Sequence, residues 1–152
     1  MTTYVDSSAL VPIYVPESFS AAARAAVRAA GQVPFTALHE LEVSNAFELL
    51  VGRGALSPDE SRGVQAQLRA DIQEQRLRKL PLALDQVFAD AGRLSRTHTA
   101  AHLARSLDLL HVAAAHAAGC DTFVSADTRQ LAVAQASGLR TIDITLRARP
   151  LR

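Results

Sequence analysis

A chain of 152 residues and 16.2 kDa has the length of one domain, and its 49% hydrophobic content excludes intrinsic disorder. A net charge of +1, from 16 Lys plus Arg against 15 Asp plus Glu, makes no case for or against nucleic acid. One cysteine, Cys120, excludes an internal disulfide scaffold and fits a reducing compartment such as the cytoplasm. The stretch Met1 to Asp6 lacks the basic and apolar regions of a secretory leader, and no apolar run approaches the roughly 18–20 residues that span a bilayer. The expectation is a cytoplasmic, single-domain protein with a core of Ala, Leu and Val, because Trp is absent and aromatics are 5%.

Short β-like runs alternate with longer helical ones. Thr3-Tyr4-Val5 is a brief strand ending at Asp6, and Ser7-Ser8 precede a helix start at Ala9-Leu10-Val11, with serine as the N-cap. Pro12 is tolerated in a first turn, and Pro16 ends the segment. A second helix runs from about Ser18 to Ala30 and stops at Gly31. Val33-Pro34-Phe35-Thr36 reads as a second strand in which Pro34 lacks a ladder donor. A helix from about Leu38 to Val51 follows and ends at the Gly52-Arg53-Gly54 turn. Ser57-Pro58-Asp59-Glu60 is the strongest local signal, an N-cap with proline at the first helical position and glutamate at the third. It opens a helix reaching about Gln75.

Leu77 to Leu82 reads as a third, edge-like strand, with a helix from about Leu84 to Arg96 after it. Ser106 to Ala118 is helical and closes at Gly119. Asp121 to Ser125 forms a fourth strand, Thr128 to Ala136 a helix closing at Gly138, and Leu139 to Asp143 a fifth strand. One α/β domain over residues 1–146 and a basic tail from Arg147 to Arg152 account for the chain. Strands separated by helices pair in parallel through crossovers, giving an open sheet covered on both faces. Ligands of such sheets sit outside the carboxyl ends of the strands.

Four acids draw attention on that rule. Asp6 closes the first strand, and Asp127 lies two residues beyond the fourth. Glu42 and Asp108 lie early in helices among apolar neighbours, in Leu41-Glu42-Val43 and Leu107-Asp108-Leu109-Leu110. The Glu42 helix starts at the same sheet edge, whereas element order alone leaves the start of the Asp108 helix unplaced. Each acid also has a structural reading. Asp6 suits a turn or cap, and Asp127 the cap of the helix at Thr128. Glu42 suits a solvated helix position, with Glu40 and Glu48 as competitors, and Asp108 a first turn favoured by the helix dipole. Gathered at one site they would behave differently. Two unit charges about 4 Å apart repel by about 4 kcal/mol at an effective dielectric near 20, so such a cluster takes up protons or a cation. Oxygen-only ligands select hard ions, Mg²⁺ or Mn²⁺, which suit phosphoryl chemistry.

The blocks Tyr4 to Val11, Leu38 through Glu42-Val43 to Ala46, Asp108 to Ala115, and Phe123 to Asp127 together resemble the PIN-domain ribonucleases, and among them the VapC-like toxins of bacterial toxin–antitoxin pairs. The resemblance runs from about residue 2 to residue 143. It implies a five-stranded parallel sheet flanked by helices on both faces, with an acidic pocket at the carboxyl edge formed by Asp6, Glu42, Asp108 and Asp127. It places the Asp108 side chain in that pocket. It also implies metal-dependent endonucleolytic cleavage of RNA, with transfer RNA a family-level expectation, an antitoxin partner that blocks the site, and a homodimer. On this resemblance Asp6 and Asp108 hold one Mg²⁺ or Mn²⁺ directly. Glu42 and Asp127 complete the shells, bind a second ion or orient the attacking water. In-line attack on a backbone phosphate would leave a 3′-hydroxyl and a 5′-phosphate without a covalent intermediate. Ser7, Ser8 and Ser125 stand beside the acids, to orient ligands or to cap helices. Ser125 stands where the family often has threonine. Glu40 is the competitor to Glu42, which matches the Glu-Val block.

Other signals carry less. His98 and His102 are four apart, with His111 and His116 following, but no glutamate completes a zinc-protease pattern and no cysteine is near. His111 reads as packed or hydrogen-bonded near the Asp108 helix start, and Cys120 as a small buried hydrophobe. Arg62, Arg69 and Arg76 recur every seven residues, a phosphate-tracking stripe or a solvated helix face. Apolar faces on the Leu38–Val51 and Ser57–Gln75 helices suit the antitoxin, a second subunit or the core. A phosphoacceptor receiver domain would want a second acid beside Asp6 and a lysine at a late strand end, but Ser7-Ser8 follow Asp6 and Lys79 lies mid-chain. An aspartyl phosphatase would want an Asp where Ser8 stands. A PIN-like module that binds RNA or a partner without cutting is the remaining alternative.

Overall fold

The structure is a computed structural model that describes residues 2–146; the basic tail expected over Arg147–Arg152 lies outside the described residues. Strand β1 (Thr3–Val5) leads directly into helix α1 (Ser7–Tyr14), and α2 (Ser20–Ala30) returns to β2 (Val33–Phe35). Helices α3 (Ala37–Gly52) and α4 (Pro58–Gln73) precede β3 (Leu77–Lys79), and α5 (Leu84–Leu94) follows it. Next come α6 (Ala100–His102), α7 (Ser106–Ala117), β4 (Thr122–Ser125), α8 (Thr128–Ala136) and β5 (Arg140–Asp143). The capping box that opens α4 forms as its sequence dictates. Glu60 N donates to Ser57 Oγ at 3.1 Å, and Ser57 N donates to Glu60 Oε2 at 2.6 Å.

Alternate side chains along the strands enter two different cores. Tyr4 and Phe123 pack with Val112 to Ala115, Leu131 and Val133, while Val5 and Val124 pack with Leu10, Phe35, Val43, Phe47 and Leu77. That period-two division is the signature of a sheet buried on both faces. Tyr4 and Phe123, paired across β1 and β4, stack with ring centroids 5.5 Å apart.

All strand pairs are parallel, as expected, but the single five-stranded sheet is corrected. Strands β1, β4 and β5 form one hydrogen-bonded sheet in the order β1-β4-β5, and β2 with β3 forms another. The cause lies in β2. Val33 N donates to Arg76 O, and Phe35 O accepts from Leu80 N, so both residues face β3. Alternation leaves Pro34 facing the other way, and proline has no N–H to give to β1. The fully buried imidazole of His39 fills the seam. Its Nδ1 accepts from Thr36 N at 3.0 Å, and its Nε2–H donates to Val5 O at 2.8 Å. A side chain thus carries the link that a backbone ladder would make between the ends of β1 and β2.

Three further boundaries differ from expectation. The N-cap of α1 is Asp6 rather than a serine. The helix expected to stop near Arg96 continues from α5 through a π turn at Ser95–Thr99 into α6. It ends at Leu103, whose φ of 54° is left-handed without a glycine to announce it. Arg76 lies past the end of α4, so it is not on one helix face with Arg62 and Arg69. The placement of α7, left open by element order, follows from the short turn between α7 and β4. The helix runs back along the strand, so its first turn lies at the carboxyl edge of the sheet, within reach of Asp127 through Arg105.

Candidate functional site

Asp6 is the first residue past β1 and the N-cap of α1, and its carboxylate serves both positions. Oδ1 accepts from Ala9 N at 3.0 Å, satisfying an orphan helix donor. Ser8 Oγ lies 2.8 and 2.9 Å from the two carboxylate oxygens, and Ser125 Oγ donates to Oδ2 at 2.8 Å. Asp6 is 2% exposed. Burial pushes its pKa up to about 6, against the opposing pull of the His111 charge and of the bonds from Ser125, Ser8 and Ala9. The structural reading of Asp6 as a cap therefore holds alongside any chemical one.

Glu42, in the second turn of α3, turns inward. Its Oε1 accepts from Ser7 Oγ at 3.0 Å and from His111 Nε2. His111 Nδ1 lies 2.8 Å from Tyr4 Oη. Burial acts to raise the Glu42 pKa, but the hydrogen bond and charge of His111, with the bond from Ser7, outweigh it and hold the carboxyl below its ordinary value. Glu40 points elsewhere and pairs with Lys79 at 3.4 Å on the surface.

Asp108 is 4% exposed in the first turn of α7, where its Oδ2 accepts from Arg105 N at 2.9 Å. Asp127 caps α8, its Oδ1 accepting from Arg129 N at 2.9 Å and Gln130 N at 3.3 Å. Its own N–H donates to Ser125 Oγ at 2.9 Å, which ties it to Asp6 through one hydroxyl. The Arg105 guanidinium joins the last two acids. Nη2 lies 2.7 Å from Asp127 Oδ2 and 3.4 Å from Asp108 Oδ1, and Nε lies 3.2 Å from Asp108 Oδ2.

The four predicted acids thus lie at the carboxyl edge in two separate hydrogen-bonded networks: Asp6, Asp127 and Asp108 joined through Ser125 and Arg105, and Glu42 with Ser7 and His111. Among the described residues no three His, Cys, Asp or Glu side chains stand close enough to hold an ion jointly. The donor set, all carboxylate and hydroxyl oxygen apart from one imidazole, fits a hard divalent cation in chemistry. A cation already bridges two of its members. Arg105 and His111 were not singled out as site residues from sequence. The signal was available, since they stand three residues before and three after Asp108, at helix-face spacing. Arg62 pairs with Asp59, and Arg76 with Asp71 at 2.8 Å, so these arginines have local partners. Cys120 is buried, and burial pushes its thiol up to about 11.

This parallel α/β scaffold with acids at the carboxyl edge is that of a known domain class. The chain belongs to the PIN domain family, whose model matches residues 3–136, and PIN domains are generally nucleases. In fold it is similar to FitAcB from Neisseria gonorrhoeae, with 16% identity, a TM-score of 0.67, and coverage of 95% of this chain and 99% of that one. PAE2754 from Pyrobaculum aerophilum is also similar, with 16% identity, a TM-score of 0.58, and coverage of 97% and 93%. No match among curated protein sequences accompanies these likenesses.

Proposed function

We propose that this protein is a metal-dependent endoribonuclease that acts as the VapC-like toxin of a toxin–antitoxin pair. The observation that supports the reading is that Asp6, Glu42, Asp108 and Asp127 lie at the sheet's carboxyl edge, the three aspartates linked through Ser125 and Arg105, and Glu42 bonded to Ser7, the residue next to Asp6 in the chain. Asp6 and Asp108 would hold a Mg²⁺ or Mn²⁺ ion directly, with Glu42 and Asp127 completing the shells. The bound ion supplies Lewis-acid polarisation of the scissile phosphate and activation of water.

The chain's own residues set the stage for that chemistry. Ser8 and Ser125 fix both oxygens of Asp6. The rise of Asp6 to about pH 6 marks a buried carboxylate that a cation would stabilise in its charged form. His111 and Ser7 keep Glu42 ionised, suited to orienting a water or a ligand rather than to taking a proton at neutral pH. In-line hydrolysis would form a bond from water oxygen to phosphorus and break the P–O3′ bond, so that the 3′-hydroxyl leaves and the other fragment keeps a 5′-phosphate.

A protein partner is supported by side chains that the fold leaves uncovered: Leu41 and Leu49 on α3, and Leu84 and Phe88 on α5. The antitoxin and a second copy of the chain, in a homodimer, are the partners assigned to such surface. No helix among the described residues is long and apolar enough to cross a membrane, and a cytoplasmic location is part of the proposal.

The test is RNA cleavage with Mn²⁺ present, by the wild type and by Asp6→Asn. Wild-type cleavage lost in a folded Asp6→Asn protein supports the assignment, and a fully active variant refutes it. RNA bound by the wild type but left intact would favour the binding-module alternative. Calorimetric Mn²⁺ binding should disappear in Asp108→Ala. Induced expression should be toxic, and the product of the neighbouring reading frame should relieve it.

A further inference from the structure

We propose that Arg105 is an internal cation that occupies the Asp108–Asp127 end of the acidic cluster and must leave when a divalent ion enters. The inference rests on the metal reading above and adds a competitor to it. The guanidinium reaches both carboxylates at once, at 2.7 Å to Asp127 and at 3.2 and 3.4 Å to Asp108. It therefore stands where a cation shared by those two acids would stand. Asp108 is almost wholly buried, so an empty site would leave its charge without a partner, and Arg105 supplies one.

Three features make this cation displaceable. The Arg105 side chain is 63% exposed, so water is ready to receive it. Its grip on the helix is independent of its guanidinium, because the backbone N–H of Arg105 donates to Asp108 Oδ2 at 2.9 Å. The side chain can swing out while the first turn of α7 stays capped. Finally, the chain enters this position through Leu103, held at φ 54° although 70% exposed. No burial of that side chain holds it in the strained region, and the turn delivers Arg105 to the acids two residues later.

The consequence is an apparent metal affinity reduced by the fraction of molecules with Arg105 inside. The experiment measures Mn²⁺ binding by isothermal titration calorimetry, without RNA, for the wild type, Arg105→Ala and Arg105→Lys. Far-ultraviolet circular dichroism confirms folding. Arg105→Ala should bind Mn²⁺ roughly tenfold more tightly, and Arg105→Lys, with a single ammonium in place of a two-pronged fork, should fall between.

Charge removal alone would also tighten binding, so a second arm separates occupancy from field. A few millimolar guanidinium chloride, against the same concentration of sodium chloride, should weaken Mn²⁺ binding in Arg105→Ala and leave the wild type unchanged. Equal affinity in wild type and Arg105→Ala overturns the proposal. So does a gain in affinity on which guanidinium and sodium act alike. Absence of Mn²⁺ binding in every protein removes the metal reading itself, and this inference with it.

Discussion

Replacing Asp6 with asparagine should remove a pH-dependent destabilisation of the metal-free protein even as it removes the proposed chemistry. The folded protein holds this carboxyl at about 6, against 3.8 for an unperturbed aspartate. Below pH 3.8 the group is protonated in both states and contributes no difference. Between pH 3.8 and 6 the unfolded chain releases the proton first, which draws the equilibrium toward unfolding. Above pH 6 the full cost is present, about 2.2 pH units at 1.36 kcal/mol each, or about 3 kcal/mol. Asparagine cannot ionise, so the stability difference between variant and wild type should grow by up to about 3 kcal/mol from pH 3.8 to pH 6.5.

Its pH-independent offset depends on how Ser8 and Ser125 reorient, and Gln130 Oε1, 3.3 Å from Ser125 Oγ, offers that hydroxyl another acceptor. The change with pH, read from urea denaturation in chelator-treated buffer, is the diagnostic quantity. A difference that stays constant within about 0.5 kcal/mol across that range refutes the argument, because a buried, desolvated carboxylate must show linkage. Added Mn²⁺ should then raise the wild type's urea midpoint at pH 7 and leave that of Asp6→Asn in place.

His39 should impose the opposite slope, and Asp6→Asn should expose it. Burial holds the imidazole at about 3, so as pH falls below about 6.5 the unfolded chain takes up a proton that the folded one refuses. Stability is lost over that window, by up to about 5 kcal/mol. In the wild type the two slopes oppose each other between about pH 4 and 6, so urea midpoints there should be nearly flat, whereas those of Asp6→Asn should climb. Changing His111 to Leu should raise the Glu42 carboxyl pKa above its wild-type position in a carbon-detected NMR titration, because burial then acts without the imidazole to counter it; an unmoved value would contradict the pairing. Tyr14→Phe should cost about 1 kcal/mol in urea unfolding, as the 2.6 Å bond from Tyr14 Oη to Asp71 is lost while Arg76 still satisfies that acid. Phe123→Ala should cost about 3–5 kcal/mol, since the ring is fully buried against Tyr4; a loss under 1 kcal/mol would mean that this core collapses around the gap.

Local chemistry made much of this fold legible. The Ser57-Pro58-Asp59-Glu60 cap, the stops at Gly31, Gly119 and Gly138, and the run Thr128 to Ala136 each depend on neighbours in the chain, and α8 spans the residues its periodicity indicates. The π turn at Ser95–Thr99 and the left-handed Leu103 were not legible, because no glycine or proline marks them. In the candidate site, strand ends pointed to Asp6 and Asp127, whereas Glu42 and Asp108 needed the family resemblance. Arg105 and His111 had no signal beyond their spacing from Asp108.

The amino-acid sequence by itself determined the alternation of strands and helices, the parallel pairing, and which acids sit at strand ends, since periodicity and capping act over a few residues. Only the tertiary structure decided which polar groups satisfy one another. Pro34 withholds a donor from β1, and His39 closes that seam from a helix. Arg105 and His111 bond to acids carried on other elements. Those partners are chosen by which unpaired groups the packed core brings within about 3 Å of one another, a distance that no local pattern encodes.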